Sequence, residues 1–363
     1  MNANLLRNLC LGKSYFQKTI NEVSLFIGKL RVTHKCSFNY GGEKSLIVLQ
    51  LTFQPPSLLH LRVESKIQKK LLWMIYPKLV EQENDIVFSY CASKHEKEWL
   101  ISSLADFYRQ QWFDDVLRLI KGGGKEASVY QCVGNETTQS NYIAAKVYRP
   151  RKFRQLRNDS LYREGRLVLD DEGHEIHDGG ALHAVRQRTK FGLRVMHTSW
   201  IEHEFQTLNL LHQAGADVPE PYASGNNAIL MAYIGWDDLP APTLNMVNLG
   251  IKEARQVFDR VIHNVEIMLS YNRVHGDLSA FNILYYDGEI SLIDFPQSID
   301  PDVNRNAYAI FIRDILRLCD YFQAQGLECN PRSLAEDLWT KYGYPIRQPV
   351  DPQLLSVEDL END

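Results

Sequence analysis

The stretch HGDLSAFNILYYDGEISLID, residues 275–294, decides what kind of molecule this chain is. Asp287-Gly288 between two apolar runs is the signal of a two-residue β-hairpin turn. Counting outward from that turn pairs Tyr286 with Glu289 and Asn282 with Ile293. Asp294 then stands beside Asn282 at the open end of the hairpin. One neutral and one anionic oxygen ligand converge there, a donor set suited to Mg²⁺ or Mn²⁺, with water and phosphate completing the shell. Asp277 precedes the hairpin by a short loop and reaches the same space, where it can orient an attacking hydroxyl and accept its proton. A plain surface hairpin would explain the turn residues, but not three mechanism-bearing residues at this spacing. His275 is expected to brace the loop rather than act as a base.

A second motif lies upstream. In Lys121-Gly122-Gly123-Gly124-Lys125-Glu126-Ala127, positions 122, 124 and 127 fit G-x-G-x-x-[GA]. A Walker loop needs G-K-[ST] opening a helix, and Glu126 follows Lys125. A dinucleotide fingerprint needs a following helix and an acidic residue about 20 positions on; Ser128–Val133 is strand-like and position 146 is lysine. A strand–loop–strand flap over ATP phosphates and a plain glycine-rich turn both remain. The next strand favours the flap. Alternation in Ala144-Ala145-Lys146-Val147 places Ala144 and Lys146 on one face, leaving room for a flat base beside an ammonium. An edge-strand lysine facing water is the plainer alternative.

Around these motifs the chain reads as ordinary globular protein. Its 363 residues are 44% hydrophobic and 23% charged with a net charge of −5, which suits neither a nucleic-acid coat nor a disordered chain. No apolar run is long enough to span a membrane, and Met1–Tyr15 lacks the apolar core of a signal peptide. The six cysteines show no C-x-x-C spacing, which argues against a zinc ribbon or a disulfide framework and for a reducing, cytoplasmic setting. Residues 1–95 form an extension of unknown role, read as a small α+β unit with strands at Leu46–Phe53 and Asp85–Tyr90 and a helix over Lys66–Leu79. Residues 96–235 hold the glycine loop, with a helix over Glu96–Gln111, strands around Val116–Ile120, Ser128–Val133, Asn141–Tyr148 and Ala228–Ile234, and an amphipathic helix over Trp200–Gln213. Residues 236–350 hold the hairpin and a helix over Lys252–Tyr271, and 351–363 form an acidic tail. Eight basic residues between 146 and 166 (Lys146, Arg149, Arg151, Lys152, Arg154, Arg157, Arg163 and Arg166) read as a solvated loop or as a docking surface for an RNA–protein particle.

Taken together, these segments resemble a protein-kinase-like catalytic core, specifically the RIO family of atypical serine/threonine kinases. KGGGKEASVY (121–130) is similar to that family's glycine loop. Trp200–Phe205 looks like its αC helix, and MAYIGWDDLPAPTL (231–244) like its hinge. Residues 274–294 match its catalytic and metal loops, with Asp294-Phe295-Pro296 in place of Asp-Phe-Gly. The resemblance covers about residues 97–340 in order and sides with a divergent, bacterial-like branch lacking the winged-helix domain. It implies an α+β, bilobal kinase-like fold with a small β-rich lobe, which includes a flexible loop over 149–198, and a reduced, mostly helical lobe. No Ala-Pro-Glu motif follows Asp294, so the usual activation segment and peptide-docking helices are expected to be absent.

The resemblance also implies roles. Lys146 would hold the ATP α/β-phosphates and pair with Glu204, with Glu202 as the alternative. Gly122, Gly124, Lys125 and Ser128 would lie against phosphate. Val129 and Ala144 would cover the adenine, Met231 would close the back of the pocket, and the backbone of Ala232 and Ile234 would bond the base. Asp277 would be the catalytic aspartate, and Asn282 and Asp294 the metal ligands. The implied activity is ATP- and Mg²⁺-dependent phosphotransfer to a protein hydroxyl, to the chain itself or to Asp294, in ribosome maturation or as an ATPase-like switch. Two alternatives stand beside it: a small-molecule kinase of the aminoglycoside or choline type, and a nucleotide-gated binding module on a ribosomal particle.

Overall fold

The computed structural model describes residues 86–121, 127–149, 159–225 and 227–347, and the backbone of three strands before them. The chain divides into two compact units, Met1–Val80 and Glu81–Asp363. In the first, β1 (Thr19–Ser24), β2 (Arg31–Tyr40) and β3 (Glu43–Thr52) form an antiparallel meander. The helix expected over Lys66–Leu79 lies outside the described residues, as do Gly122, Gly124, Lys125, the basic residues Arg151, Lys152, Arg154 and Arg157, and the acidic tail.

The second unit is bilobal and α+β. Its small lobe opens with α1 (Lys94–Arg109), started by a capping box in which Ser93 and Glu96 satisfy each other's backbone N–H groups. Strands β4 (Asp115–Lys121), β5 (Ala127–Val133), β6 (Tyr142–Tyr148), β7 (Pro221–Gly225) and β8 (Ala228–Ala232) form one antiparallel sheet in the order β4-β5-β6-β8-β7. The expected strand at Asp85–Tyr90 does not form over its described residues. Residues 86–90 run irregularly beside β4, held by Tyr90 N–H to the Val116 carbonyl (2.8 Å) and Ser89 N–H to Asp115 (2.8 Å).

Register assigns the two faces of this sheet. Tyr130, Cys132, Ile143, Ala145, Val147 and Leu230 pack against Leu100, Leu104 and Phe107 of α1. The opposite face carries Val129, Lys146 and Ile229 in one cross-strand row and Gln131, Ala144 and Met231 in the next. These rows face the cleft between the lobes.

The stretch 149–198, expected as one flexible loop, contains α2 (Asp159–Arg163), α3 (Gly179–Arg186) and the start of α4 (Lys190–Gln213). Asp178 caps α3 and Thr189 caps α4, while the charged side chains of α3 and of the first turns of α4 face outward and imitate a solvated loop in sequence. On α4, Ile201 joins Ile229 and Tyr148 in a small cluster over the cleft face of the sheet.

The large lobe centres on α5 (Ile251–Ser270), where Ala254, Val257, Phe258, Val261, Val265 and Met268 are all buried, as the 3.6-residue spacing requires. The hairpin β9 (Ile283–Tyr286) and β10 (Glu289–Leu292), with α6 (Ala307–Ala324) and α7 (Pro331–Lys341), closes this core around Phe322 and Trp339. Against the reading of the cysteine spacing as no disulfide framework, Cys319 and Cys329 form a disulfide with Cα atoms 5.8 Å apart. The chain reverses after α6, which brings these two residues together although their spacing matches no cysteine motif. Cys91 and Cys132 are free thiols. Among the described residues no helix is long and apolar enough to cross a membrane.

Candidate active site

Lys146, on β6, projects into the cleft and meets two carboxylates. Its ammonium lies 2.6 Å from Glu204 Oε1 and 2.5 Å from Asp294 Oδ1. Burial alone would strip the ammonium of its proton, but the two carboxylates outweigh that cost and raise its pKa. Burial likewise disfavours charge on Asp294, yet Lys146 holds its carboxyl below the ordinary range. Both groups are therefore ionised at neutral pH. Asp294 has φ of +75°, a left-handed conformation that a non-glycine residue adopts at a cost and that concentrates at functional sites. Glu202, the alternative partner of Lys146, instead accepts from Ser224 Oγ at 2.8 Å. Two helical positions differ by about 200° in direction, so only one of these glutamates can face the lysine. Tyr148 completes the constellation by donating its hydroxyl to the other oxygen of Glu204. It lies two residues beyond Lys146 on the same strand face, a placement legible in the alternation but missed.

The hairpin register matches the count from Asp287-Gly288. Tyr286 pairs with Glu289, and Ile293 N–H bonds the Asn282 carbonyl at 3.0 Å. Asn282 Nδ2 donates to the Asp277 carbonyl (2.8 Å) and to Asp277 Oδ2 (3.1 Å), which leaves Oδ1 as the amide's available acceptor. That oxygen and the Asp294 carboxylate make a neutral-plus-anionic set that fits an Mg²⁺ completed by water and phosphate oxygens. His275 is buried and braces the loop, meeting the Ile293 carbonyl at 3.2 Å and accepting Asp277 N–H at 3.3 Å. Burial raises the Asp277 pKa, and Arg317 opposes the shift from 2.7 Å.

The catalytic-loop backbone is clamped by α6. Gly276 N–H donates to Asp314 Oδ2 at 2.9 Å, and its carbonyl accepts from Arg313. Gly276 has φ of +85°, and a Cβ there would lie 2.3 Å from the Gln297 carbonyl oxygen. Gly276→Ala should cost about 1–3 kcal/mol of stability and reduce turnover. Urea unfolding and a phosphotransfer assay check this; wild-type values in both would show that the loop relaxes around the methyl group.

Other expected residues fall less simply. Val129, Ala144 and Met231 line the cleft face. Ser128 does not. It pairs with Val147, is buried on the α1 face of the sheet, and bonds Tyr130, so its hydroxyl points away from the expected phosphates. At the hinge, Ala232 N–H is taken by the Glu220 carbonyl (2.8 Å) and the Ile234 carbonyl by Ala241 N–H (3.0 Å), so neither of these two groups is free for a base edge. Arg118, unforeseen in the sequence, ties the hinge to the glycine-loop strand through Gln131 Oε1 (2.6 Å) and the Asp237 carbonyl (2.8 Å). The basic run does not form one solvated surface. Lys146 is buried, and Arg166 Nη2 turns inward to the Ser298 carbonyl at 2.7 Å.

His203, one residue before Glu204, meets the same Ser298 carbonyl at 2.9 Å. Burial, with Arg166 adding to it, lowers its pKa to about 3 from 6.5. The unfolded chain therefore binds the proton first. Stability is full above about pH 6.5 and falls as the pH drops toward 3, by up to about 2 kcal/mol at pH 5. Urea midpoints at pH 7.5 and 5 should fall less steeply in His203→Gln than in wild type; parallel slopes would mean that other groups govern the acid limb.

A family model for the RIO domain matches residues 128–334. Human serine/threonine-protein kinase RIO1 is 32% identical over 200 residues, covering 55% of this chain and 32% of that protein. The RIO-type serine/threonine-protein kinase Rio1 of Haloferax volcanii is 29% identical over 215 residues, covering 59% and 65%. The chain thus matches about a third of the human relative's length and 65% of the archaeal one's. The Rio2 kinase–ADP/Mg²⁺–phosphoaspartate complex from Chaetomium thermophilum is similar at a TM-score of 0.46 with 17% identity, covering 83% of this chain and 82% of that one.

Proposed function

The chain belongs to the RIO family, and from that premise we propose that it is an ATP- and Mg²⁺-dependent phosphotransferase of the RIO kinase type. It acts as a serine/threonine protein kinase, as a self-phosphorylating ATPase, or as both. The observation that carries this proposal is the convergence of Lys146 on Glu204 and Asp294, together with the Asp277–Asn282 pair at the neighbouring loop. Phosphoryl transfer needs positioning and charge neutralisation more than covalent help, and these residues supply both. Lys146, held by Glu204, binds the α/β-phosphates. Asn282 Oδ1 and Asp294 hold Mg²⁺, which when bound neutralises phosphate charge. Asp277 orients the acceptor hydroxyl and takes its proton. Val129, Ala144 and Met231 form the apolar slot for adenine, and Ile234 N–H bonds its edge. Gly122, Gly124 and Lys125, outside the described residues, are assigned to the phosphates by the sequence motif alone. A role in ribosome maturation belongs to the same proposal, and co-sedimentation with ribosomal particles that weakens as salt rises would support it.

The test is to incubate the purified chain alone with γ-labelled ATP and Mg²⁺. Acid-stable label means phosphorylation of a hydroxyl; acid-labile, hydroxylamine-sensitive label means an aspartyl phosphate and a switch-like ATPase. Tight ATP binding with no label on the chain or on added protein would sink the protein-kinase reading in favour of a small-molecule acceptor.

A further inference from the structure

The catalytic loop carries no cation of its own: Leu278, Ser279, Ala280 and Phe281 are the residues between Asp277 and Asn282. Lys146, held by Glu204 and Asp294, serves the α/β-phosphates and not the acceptor side. Yet the reaction proposed above crowds negative charge. The acceptor oxygen forms a bond to Pγ while the bond from Pγ to the β,γ-bridging oxygen breaks. ADP leaves with that electron pair, and the hydroxyl proton passes to Asp277. The carboxylate and the transferring phosphoryl oxygens must therefore gather around one hydroxyl, and their mutual repulsion opposes the approach.

We propose that Arg317, on α6, is a catalytic residue that offsets this charge from the acceptor side, as a built-in arginine. Its Nη1 lies 2.7 Å from Asp277 Oδ1, and about a quarter of its side chain is exposed. That contact is its one side-chain hydrogen bond among the described residues, so its remaining guanidinium donors are available to phosphoryl oxygens. Anchoring of the loop does not explain it. Arg313 and Asp314, one turn earlier on the same helix, already clamp both the carbonyl and the N–H of Gly276. Arg317 adds no backbone contact; it meets only the reacting carboxylate. The helical spacing explains the division of labour, since positions 313, 314 and 317 share the α6 face turned to the catalytic loop.

The inference rests on the phosphotransferase proposal, and one experiment separates their failures. Single-turnover transfer from MgATP is measured for the wild-type chain, Arg317→Ala and Arg317→Gln, with nucleotide affinity measured in parallel. Transfer should fall about 100-fold or more in both variants while MgADP affinity stays within about threefold. Guanidinium ion at tens of millimolar should restore part of the rate in Arg317→Ala and none in Asp277→Ala. Should Arg317→Ala fail to fold, Arg317→Gln carries the rate comparison. A wild-type rate in the folded variants, a faster one, or a loss that parallels nucleotide affinity and resists guanidinium would overturn the assignment. A wild-type chain that binds MgATP but transfers no phosphate would instead remove the phosphotransferase proposal on which it stands.

Discussion

Asp277→Ala should abolish phosphotransfer while leaving nucleotide binding intact. Removing a positioned general base typically costs about 10²–10⁴ in rate, and here the same carboxylate also fixes Asn282 through Oδ2. The fold should survive. Asn282 keeps its bond to the Asp277 carbonyl, and Gly276 keeps its clamp on α6, because neither uses the carboxylate. Arg317 loses its partner but is partly exposed, so water can solvate it. Fluorescence titration with a labelled ADP should therefore give wild-type affinity beside a rate reduced to background. Unchanged turnover in this variant would refute the assignment of Asp277 outright.

The second large effect belongs to Asp294→Ala, with a different signature. Asp294 is one of two partners of the buried Lys146, and in the proposal it is also the anionic half of the metal pair. Without it, Mg²⁺ should no longer tighten ADP binding. The loss should exceed the ~10–100-fold that an outer-shell partner of a metal is worth. Lys146 retains Glu204, itself held by Tyr148, so the ammonium is not stranded without a counter-charge. ADP affinity measured with Mg²⁺ and with EDTA should differ in wild type and coincide in the variant. A wild-type Mg²⁺ dependence in Asp294→Ala would take this residue out of the metal site.

Much of the site was legible because its parts are local. The Asp287-Gly288 turn sets the pairing of a short hairpin, so counting residues pairs Ile293 with Asn282, one residue before Asp294, without knowledge of the rest of the chain. Alternation places Ala144 and Lys146 on one face of β6. The same alternation, carried to β5, puts Ser128 on the α1 face, so that error came from following a family role instead of the strand's own period. The helices within 149–198 were not legible for another reason. They expose their charge, and the caps that start them, Asp178 and Thr189, are the same residue types that mark loops.

By itself, the sequence determined several elements and the faces they present: the register of the hairpin, the lysine face of β6, and the apolar stripe of α5. Each follows from a period of two or 3.6 residues, or from a turn type, read within a short window. Tertiary structure decided which partners meet across large separations. Lys146 reaches Glu204, 58 residues away, and not Glu202, because α4 docks on the sheet through Ile201 and so aims one of two opposed faces at the cleft. Arg317 reaches Asp277 across 40 residues because α6 lies against the catalytic loop, and Cys319 meets Cys329 because the chain reverses after that helix. Such contacts depend on how whole elements pack, and the side chains involved leave no local period from which to read them.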